Sequence, residues 1–333
     1  MALISRDQIL AFLGSILILG LTVYFADFSK VLKALAQAER TYVYMTLFLG
    51  VMVLLFRSRV WFEFFRKLEL EISSLKSFNL FSAGEFLNNV TTLGQAGGQP
   101  FMAYVISNNV DLEYEKSLAT VISADFMTAM PLLSFGTLST IFLFFNGASR
   151  QLVARAGFAS VTAISIASFL VYFLWFKNGY IESKILRLSE RVIRKDYLIT
   201  KLEAKLNRVE ETFETIGQNV TDLKLAAFYA HFSFALDVLV LYLALTSLGA
   251  SINPLYLFII FPIANLSKSF PTSGGSGAYE LVLASMLSAI LGLEFSSAVG
   301  AALMYRIATY WQAILIGAVS MSRFGLSISE YRS

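Results

Sequence analysis

Long apolar segments recur along the chain, and shorter polar stretches separate them. A helix needs about 20 mostly apolar residues to cross the hydrocarbon core of a bilayer. Six segments come close to this length, and we predict that each forms a membrane-spanning helix. They cover residues 8–26, 41–56, 117–145, 157–176, 225–249 and 296–321. The pattern therefore predicts an all-α polytopic membrane protein.

Two further apolar segments, 78–110 and 255–291, are interrupted by glycine, proline and polar residues. The first interruption reads NNVTTLGQAGGQP over 88–100, and the second reads NLSKSFPTSGGSG over 265–277. In hydrocarbon, the N–H and C=O groups freed by such a break must find partners in protein or water. We therefore predict two broken, re-entrant helical hairpins that are buried in protein and line a cavity.

The two broken segments match each other in sequence. An asparagine precedes a Gly-Gly pair by nine positions in both, and a Leu-Glu-aromatic triplet follows at 112–114 and at 293–295. Three spans and one broken segment in each half predict an inverted repeat, with a first repeat over 1–145 and a second over 146–333. Inverted repeats with discontinuous helices are typical of secondary transporters, whose sites lie between the repeats near the bilayer midplane.

The composition excludes several classes of protein. Hydrophobic residues make up 56% of the chain and charged residues only 15%, against about a quarter charged in a soluble domain. A net charge of +3 is too small for a nucleic-acid-binding surface. The absence of cysteine and the single histidine argue against thiol chemistry and a multi-histidine metal site. With no phosphate-binding Gly-x4-Gly-Lys motif, we expect no cofactor, no metal and no enzymatic activity.

Residues 177–224 hold 18 of the 49 charged side chains, and we predict a cytoplasmic amphipathic helical insertion there. Apolar residues within it are spaced alternately three and four apart, which is a heptad stripe. The stripe consists of Ile199, Leu202, Leu206, Val209, Phe213, Ile216, Val220 and Leu223. The helices of the insertion can pack against each other or lie on the inner membrane surface. They also offer a surface for a second copy of the chain or for a soluble enzyme.

The distribution of basic residues predicts the orientation in the membrane. Cytoplasmic loops are enriched in Lys and Arg. Five basic residues, from Arg57 to Lys76, follow the second predicted span. The charged insertion follows the fourth span, and Arg323 and Arg332 follow the sixth. We therefore expect a protein of the cell membrane with both termini in the cytoplasm.

The two interruptions supply candidate substrate-binding residues. Gly97 and Gly98, and likewise Gly274 and Gly275, allow the backbone to approach a ligand closely. A half-helix that starts at such a pair presents free N–H groups to an anion. Glycines also permit tight packing between helices. The polar residues beside them complete the candidate set: Asn88, Asn89, Asn265 and Lys268. Lys268 can hold a phosphate or extend toward the membrane surface.

Charged residues inside the apolar segments are further candidates, because an isolated charge in a bilayer is costly. Asp125 and Arg306 occupy equivalent positions of the predicted repeats, so we predict a gating or structural ion pair between them. Arg306 is also a candidate headgroup contact. Glu280 and Glu85 can recognise an ammonium group or satisfy nearby N–H groups. Asp237 has no evident partner in the sequence and is a candidate for proton coupling.

Three ordered motifs carry a resemblance to a known family. They are GEFLNN at 84–89 followed by GGQP and AY at 97–104, PTSGGSGAYE at 271–280, and MYRIATYW at 304–311. Together they resemble the membrane domain of lysylphosphatidylglycerol synthases, also called flippase-like integral membrane proteins. The resemblance covers nearly the whole chain. It implies a domain that handles lipids: anionic or aminoacylated phospholipids, or lipid-linked saccharides.

The chain departs from the family pattern at Gln99 and Met102, where relatives commonly carry an acidic residue and an arginine. The soluble aminoacyl-transferase domain is not expected, because only about a dozen residues follow the last predicted span. We therefore expect a transporter or flippase for a phosphate-bearing lipid. The alternatives are a non-catalytic subunit that presents a lipid to a soluble transferase, and a carrier for a small soluble anion.

Overall fold

A computed structural model of the chain describes residues 6–90, 94–145, 196–218, 220–270 and 272–324, together with positions 162 and 166. These residues form helices and turns, and no strand occurs among them. The predicted fourth span, 157–176, and the first part of the insertion lie outside the described residues. The helices are α1 (Arg6–Phe25), α2 (Phe28–Ala36), α3 (Arg40–Lys67), α4 (Ser74–Val90), α5 (Gly94–Asn109), α6 (Tyr114–Phe145), α7 (Asp196–Gly217), α8 (Lys224–Ser247), α9 (Leu257–Leu266), α10 (Ala278–Leu291), α11 (Phe295–Arg306) and α12 (Gln312–Arg323).

Four segments of the described chain are long and apolar enough to cross a membrane. They are Arg40–Lys67, Tyr114–Phe145, Thr221–Ser247 and Phe295–Arg323, and they contain the second, third, fifth and sixth predicted spans. In the last of them a π-helical turn, Ile307–Trp311, joins α11 to α12. The protein is therefore a multi-pass helical membrane protein.

The first predicted span, 8–26, corresponds to α1, and the chain bends directly after it. The Leu13–Phe25 part of α1 meets α2 at an angle of 84°, and the two pieces together are apolar enough for one span. Asp27 lies at the bend with a left-handed φ of 62°, and its side chain accepts a hydrogen bond from the Ser29 N–H. Carboxylates favour such caps because they satisfy a free helix N–H group.

Helix α3 continues to Lys67, 11 residues beyond the predicted end of the second span. The additional turns bury Val60, Trp61, Phe64 and Phe65 in a core shared with α5, α6 and α7. This burial explains the longer helix, because apolar contact stabilises these additional turns. The charged residues among them had suggested that the turns lie outside the membrane.

Both predicted broken segments are interrupted, but in different ways. In the first, α4 ends at Val90 and α5 begins at Gly94. In the second, α9 ends at Leu266, two short 3₁₀ turns follow, and α10 begins at Ala278. Gly274, Gly275 and Gly277 all have positive φ in this second break, a conformation that costs glycine little.

The described part of the insertion packs on the protein's own core. Phe213 and Ile216 of α7 are buried in the core that also contains Trp61 and Phe64 of α3. Lys205 and Arg208 pair with carboxylates of the α6 region: Lys205 Nζ lies 2.6 Å from Glu115 Oε1, and Arg208 NH1 lies 3.3 Å from Glu113 Oε1. This half of the heptad stripe is therefore not free to lie on the membrane surface.

Candidate functional site

A polar cavity lies where α3, α4, the second break and the α11–α12 segment meet. It has a volume of about 60 Å³. Six of its lining residues were candidates from the sequence: Glu85, Asn88, Asn89, Lys268, Gly274 and Arg306. The others are Gly50, Val53, Leu54, Arg57, Tyr305, Thr309, Tyr310 and Ala313.

Arg306 is held in this cavity by a dense set of contacts. Its Nε donates to Glu280 Oε1 at 2.8 Å, and its NH2 donates to Ser276 Oγ at 2.9 Å and to the Gly274 carbonyl at 3.2 Å. The guanidinium also lies 3.6 Å from the centre of the Tyr310 ring, a cation–π contact. Arg306 therefore ties the last span to the turn of the second break.

The ion pair predicted between Asp125 and Arg306 is not formed. Glu280 takes the place of Asp125 as the partner of Arg306, and its other oxygen accepts from the Gly277 N–H at 2.6 Å. Asp125 instead accepts a hydrogen bond from Gln99 Nε2 at 2.8 Å. Two equivalent residues of a repeat come close only when both lie near the axis that relates the repeats. Here Glu280, directly after the glycine turn, is the carboxylate within reach of Arg306.

A second buried ion pair was not predicted. Arg57 of α3 binds Asp237 of α8, whose other oxygen accepts from the Tyr305 hydroxyl at 2.8 Å. We had placed Arg57 in a cytoplasmic flank because the apolar run stops before it, but the structure places it in the cavity wall. The available signal was Asp237: a lone carboxylate in a span requires a cation within reach.

Lys268 and Glu85 line the cavity without an ion-pair partner among the described residues. The Lys268 ammonium lies 5.0 Å from the centre of the Tyr279 ring, and the charges of Arg57 and Lys268 both act on Glu85. The cavity thus contains one ammonium and one carboxylate whose charges are not committed to a direct salt bridge.

The two breaks meet at the edge of the cavity. The Tyr310 hydroxyl donates to the Asn89 carbonyl at 3.3 Å, and Gly274 packs against both of these groups. Asn88 packs against Gly98, and its Oδ1 is buried without a hydrogen-bond partner among the described residues. A buried amide oxygen is costly unless it meets a donor.

The other predicted site residues have structural surroundings. Gly97 and Gly98 lie inside α5 rather than at its start, and Gly275 packs against the Lys268 backbone in the turn before α10. The amide of Asn265 donates to the Phe261 carbonyl at 2.8 Å. The two glycine pairs therefore do not form matching helix N-termini as predicted, because α5 already includes Gly94 whereas α10 starts only at Ala278. Met102, at one of the departures from the family pattern, is buried against Gly84.

Gly274 provides a test of the packing around Tyr310. A Cβ at this position would lie 2.8 Å from the Tyr310 hydroxyl oxygen, so Gly274→Ala adds a steric clash to a backbone penalty of about 1–2 kcal/mol. We expect it to lower the free energy of unfolding by about 1–3 kcal/mol more than the penalty alone. Thermal unfolding in detergent measures the difference.

The matched control is Gly292→Ala, because Gly292 also has positive φ but has no atom within 4 Å of an added Cβ. It should show the backbone penalty alone. In a Tyr310→Ala background, most of the difference between Gly274→Ala and Gly292→Ala should disappear, and only the contact with the Asn89 carbonyl, 3.0 Å from the added Cβ, should remain. An extra cost that is undiminished without the Tyr310 ring would contradict this account of the turn.

These features define a multi-pass helical membrane protein with a charged cavity at the junction of two broken segments. The family described as the lysylphosphatidylglycerol synthase TM region matches residues 8–317. The chain belongs to this family.

Archaeal relatives are similar along almost their whole length. A UPF0104 membrane protein of Methanothermobacter thermautotrophicus is 26% identical over 305 residues, which cover 89% of each chain. A UPF0104 membrane protein of Pyrococcus horikoshii is 23% identical, over 94% of this chain and 96% of its own. One from Methanocaldococcus jannaschii is 23% identical, over 96% of this chain and 95% of its own.

Proposed function

We propose that the protein is a lipid transporter of the flippase type, which moves a phosphate-bearing lipid by admitting its headgroup to the cavity. The observation that carries the proposal is Lys268, an ammonium that has no salt bridge to any residue the structure describes and lines the cavity beside Arg57 and Arg306. Lysine binds phosphate as a point charge, and arginine offers several donors in a fixed plane. Family membership supports a role connected with lipids.

The contacts between helices support the inverted repeat that such a transporter would use. In the first half, α3, α4, α5 and α6 contact one another in the same pattern as α8, α9, α10 and α11 in the second half. Helix α3 of the first half contacts the π-helical turn of the last span in the second half. In the same way, α8 of the second half contacts α6 of the first. Arg57 and Asp237 are 180 residues apart, close to the offset between the matching sequence motifs. They are a cross-repeat pair of the kind we had expected from Asp125 and Arg306.

Movement of one repeat against the other would expose the cavity to each side of the membrane in turn, while the acyl chains stay in the bilayer. We place the site near the midplane and the protein in the cell membrane, with cytoplasmic termini. The charged faces of the insertion remain a candidate surface for a second copy or for a soluble enzyme.

Lipid movement in reconstituted vesicles tests the proposal. Vesicles containing the protein and fluorescent phosphatidylglycerol should lose outer-leaflet and then inner-leaflet fluorescence when an impermeant reductant is added outside. Lys268→Gln should slow this movement by about 10- to 100-fold, because a charge-assisted hydrogen bond contributes about 1.5–3 kcal/mol. The matched control is Lys30→Gln, which removes an exposed lysine paired with Glu294 and should leave the rate unchanged.

The same vesicles distinguish the alternatives. Uptake of inorganic phosphate, with no movement of lipid, would identify a carrier for a soluble anion. Phosphatidylglycerol that co-purifies with the protein but does not cross the bilayer would favour a subunit that presents lipid to another enzyme. Equal rates for Lys268→Gln and wild type would remove the observation on which the proposal depends.

A further inference from the structure

The carboxylates around the cavity differ in how their oxygens are used. Both oxygens of Asp237 accept a hydrogen bond, one from Arg57 and one from Tyr305. Both oxygens of Glu280 do the same, one from Arg306 and one from the Gly277 N–H. Neither group can take up a proton without weakening one of these contacts. Glu85 is the lining carboxylate without an ion pair among the described residues.

Among the residues that the structure describes, the charged side chains of the cavity and their ion-pair partners balance before any substrate binds. Arg57, Lys268 and Arg306 supply three positive charges, and three ionised carboxylates supply three negative ones: Glu85, Asp237 and Glu280. A phosphodiester headgroup brings one more negative charge into a site surrounded by apolar helices. An unbalanced charge in such a place is strongly unfavourable. One proton on a carboxylate restores the balance.

The surroundings of Glu85 suit a carboxyl group that gains and loses a proton. On its own helix its carboxylate accepts a hydrogen bond from the Asn88 side chain. A flip of that amide would offer its Oδ1, which lacks a donor among the described residues, to a protonated carboxyl. From α3 it faces Arg57, and from the second break Lys268.

Further groups face Glu85 from the other packed elements. Asp125 of α6, capped by Gln99 of α5, lies within its electrostatic reach. The last span adds five residues to the cavity, of which Arg306 is charged: Tyr305, Arg306, Thr309, Tyr310 and, from α12, Ala313. Entry of a phosphate beside Lys268 neutralises a charge that stabilises ionised Glu85, and so favours proton uptake there.

We infer that Glu85 is a proton-binding site and that a proton accompanies the phosphate anion into the cavity. This inference rests on the proposed function, because it requires a phosphate-bearing ligand in the cavity. Protons and charge balance in this step. The Glu85 carboxylate takes one proton from water as the anion binds, and it releases that proton when the anion leaves. Lipid movement is then coupled to a proton gradient, and the transporter needs no nucleotide.

Calorimetric titration with dioctanoyl phosphatidylglycerol tests the coupling in detergent-solubilised protein. This lipid carries one phosphodiester charge throughout pH 5.5–8.5, so protons taken up must bind to the protein. Titrations in two buffers of different ionisation enthalpy give the number of protons taken up. We expect up to about one proton for each lipid bound, and a dissociation constant that rises by up to about tenfold per pH unit where Glu85 is ionised.

Glu85→Gln should take up no proton and should bind with an affinity that does not change with pH, because glutamine resembles the protonated side chain. Glu63→Gln is the matched control: it neutralises a carboxylate of α3 that pairs with Arg66 outside the cavity lining, and it should keep the uptake. Binding by the wild type without proton uptake, or uptake that persists in Glu85→Gln, would overturn the inference and leave the proposed function standing. No binding by the wild type at any pH would overturn both.

Discussion

Replacement of Arg306 by alanine is expected to abolish lipid movement and to lower the free energy of unfolding by about 3–5 kcal/mol. The substitution leaves Glu280 buried without a cation, since both side chains are about 5% exposed. It also removes the NH2 group that donates hydrogen bonds to Ser276 Oγ and to the Gly274 carbonyl. The turn of the second break then loses its hydrogen bonds to Arg306 of the last span. Thermal unfolding in detergent and the vesicle assay measure the two effects.

A paired replacement separates stability from function. Arg306→Met combined with Glu280→Leu removes both charges and keeps the volume, so it should regain most of the stability lost in Arg306→Ala. It should remain inactive in lipid movement, because one of the three cations of the cavity is missing. If the double variant moved phosphatidylglycerol as fast as the wild type, Arg306 would have only a structural role.

Replacement of Gly50 by alanine is expected to be the other severely damaging change, with a loss of about 3 kcal/mol or more in the free energy of unfolding. Gly50 lets α3 pack directly on the backbone of the π-helical turn. An added Cβ would overlap the Ala308 carbonyl oxygen and lie 2.7 Å from its carbon. Backbone atoms cannot move aside as a flexible side chain can. Because Gly50 also lines the cavity, lipid movement should fall with stability.

Gly20 is the matched control for this prediction. It also lies inside a helix, but an added Cβ there meets no atom within 4 Å. Gly20→Ala should therefore leave stability unchanged or raise it by about 0.5–1 kcal/mol, since alanine is the better helix former. Similar unfolding temperatures for Gly50→Ala and Gly20→Ala would mean that the close approach of α3 and the last span is not required for stability.

The sequence predicted the site residues of the two interruptions but missed Arg57 of α3. Asn88, Asn89, Lys268 and Gly274 interrupt apolar segments, and polar residues in that position need partners inside the protein. Arg57 was missed because it follows the end of an apolar run, where a basic residue normally marks a cytoplasmic flank. Only the burial of the next turns of α3 shows that the helix continues past it.

Apolar length and glycine-rich interruptions were enough to determine the class of protein, the positions of four long helices and the existence of two breaks. These properties depend on local chemistry, because hydrocarbon requires every backbone group to be satisfied within a short stretch of chain. The choice of ion-pair partners was decided only by the tertiary structure. Arg306 pairs with Glu280 and Arg57 with Asp237 because helix packing sets which charges come within a few ångströms of each other.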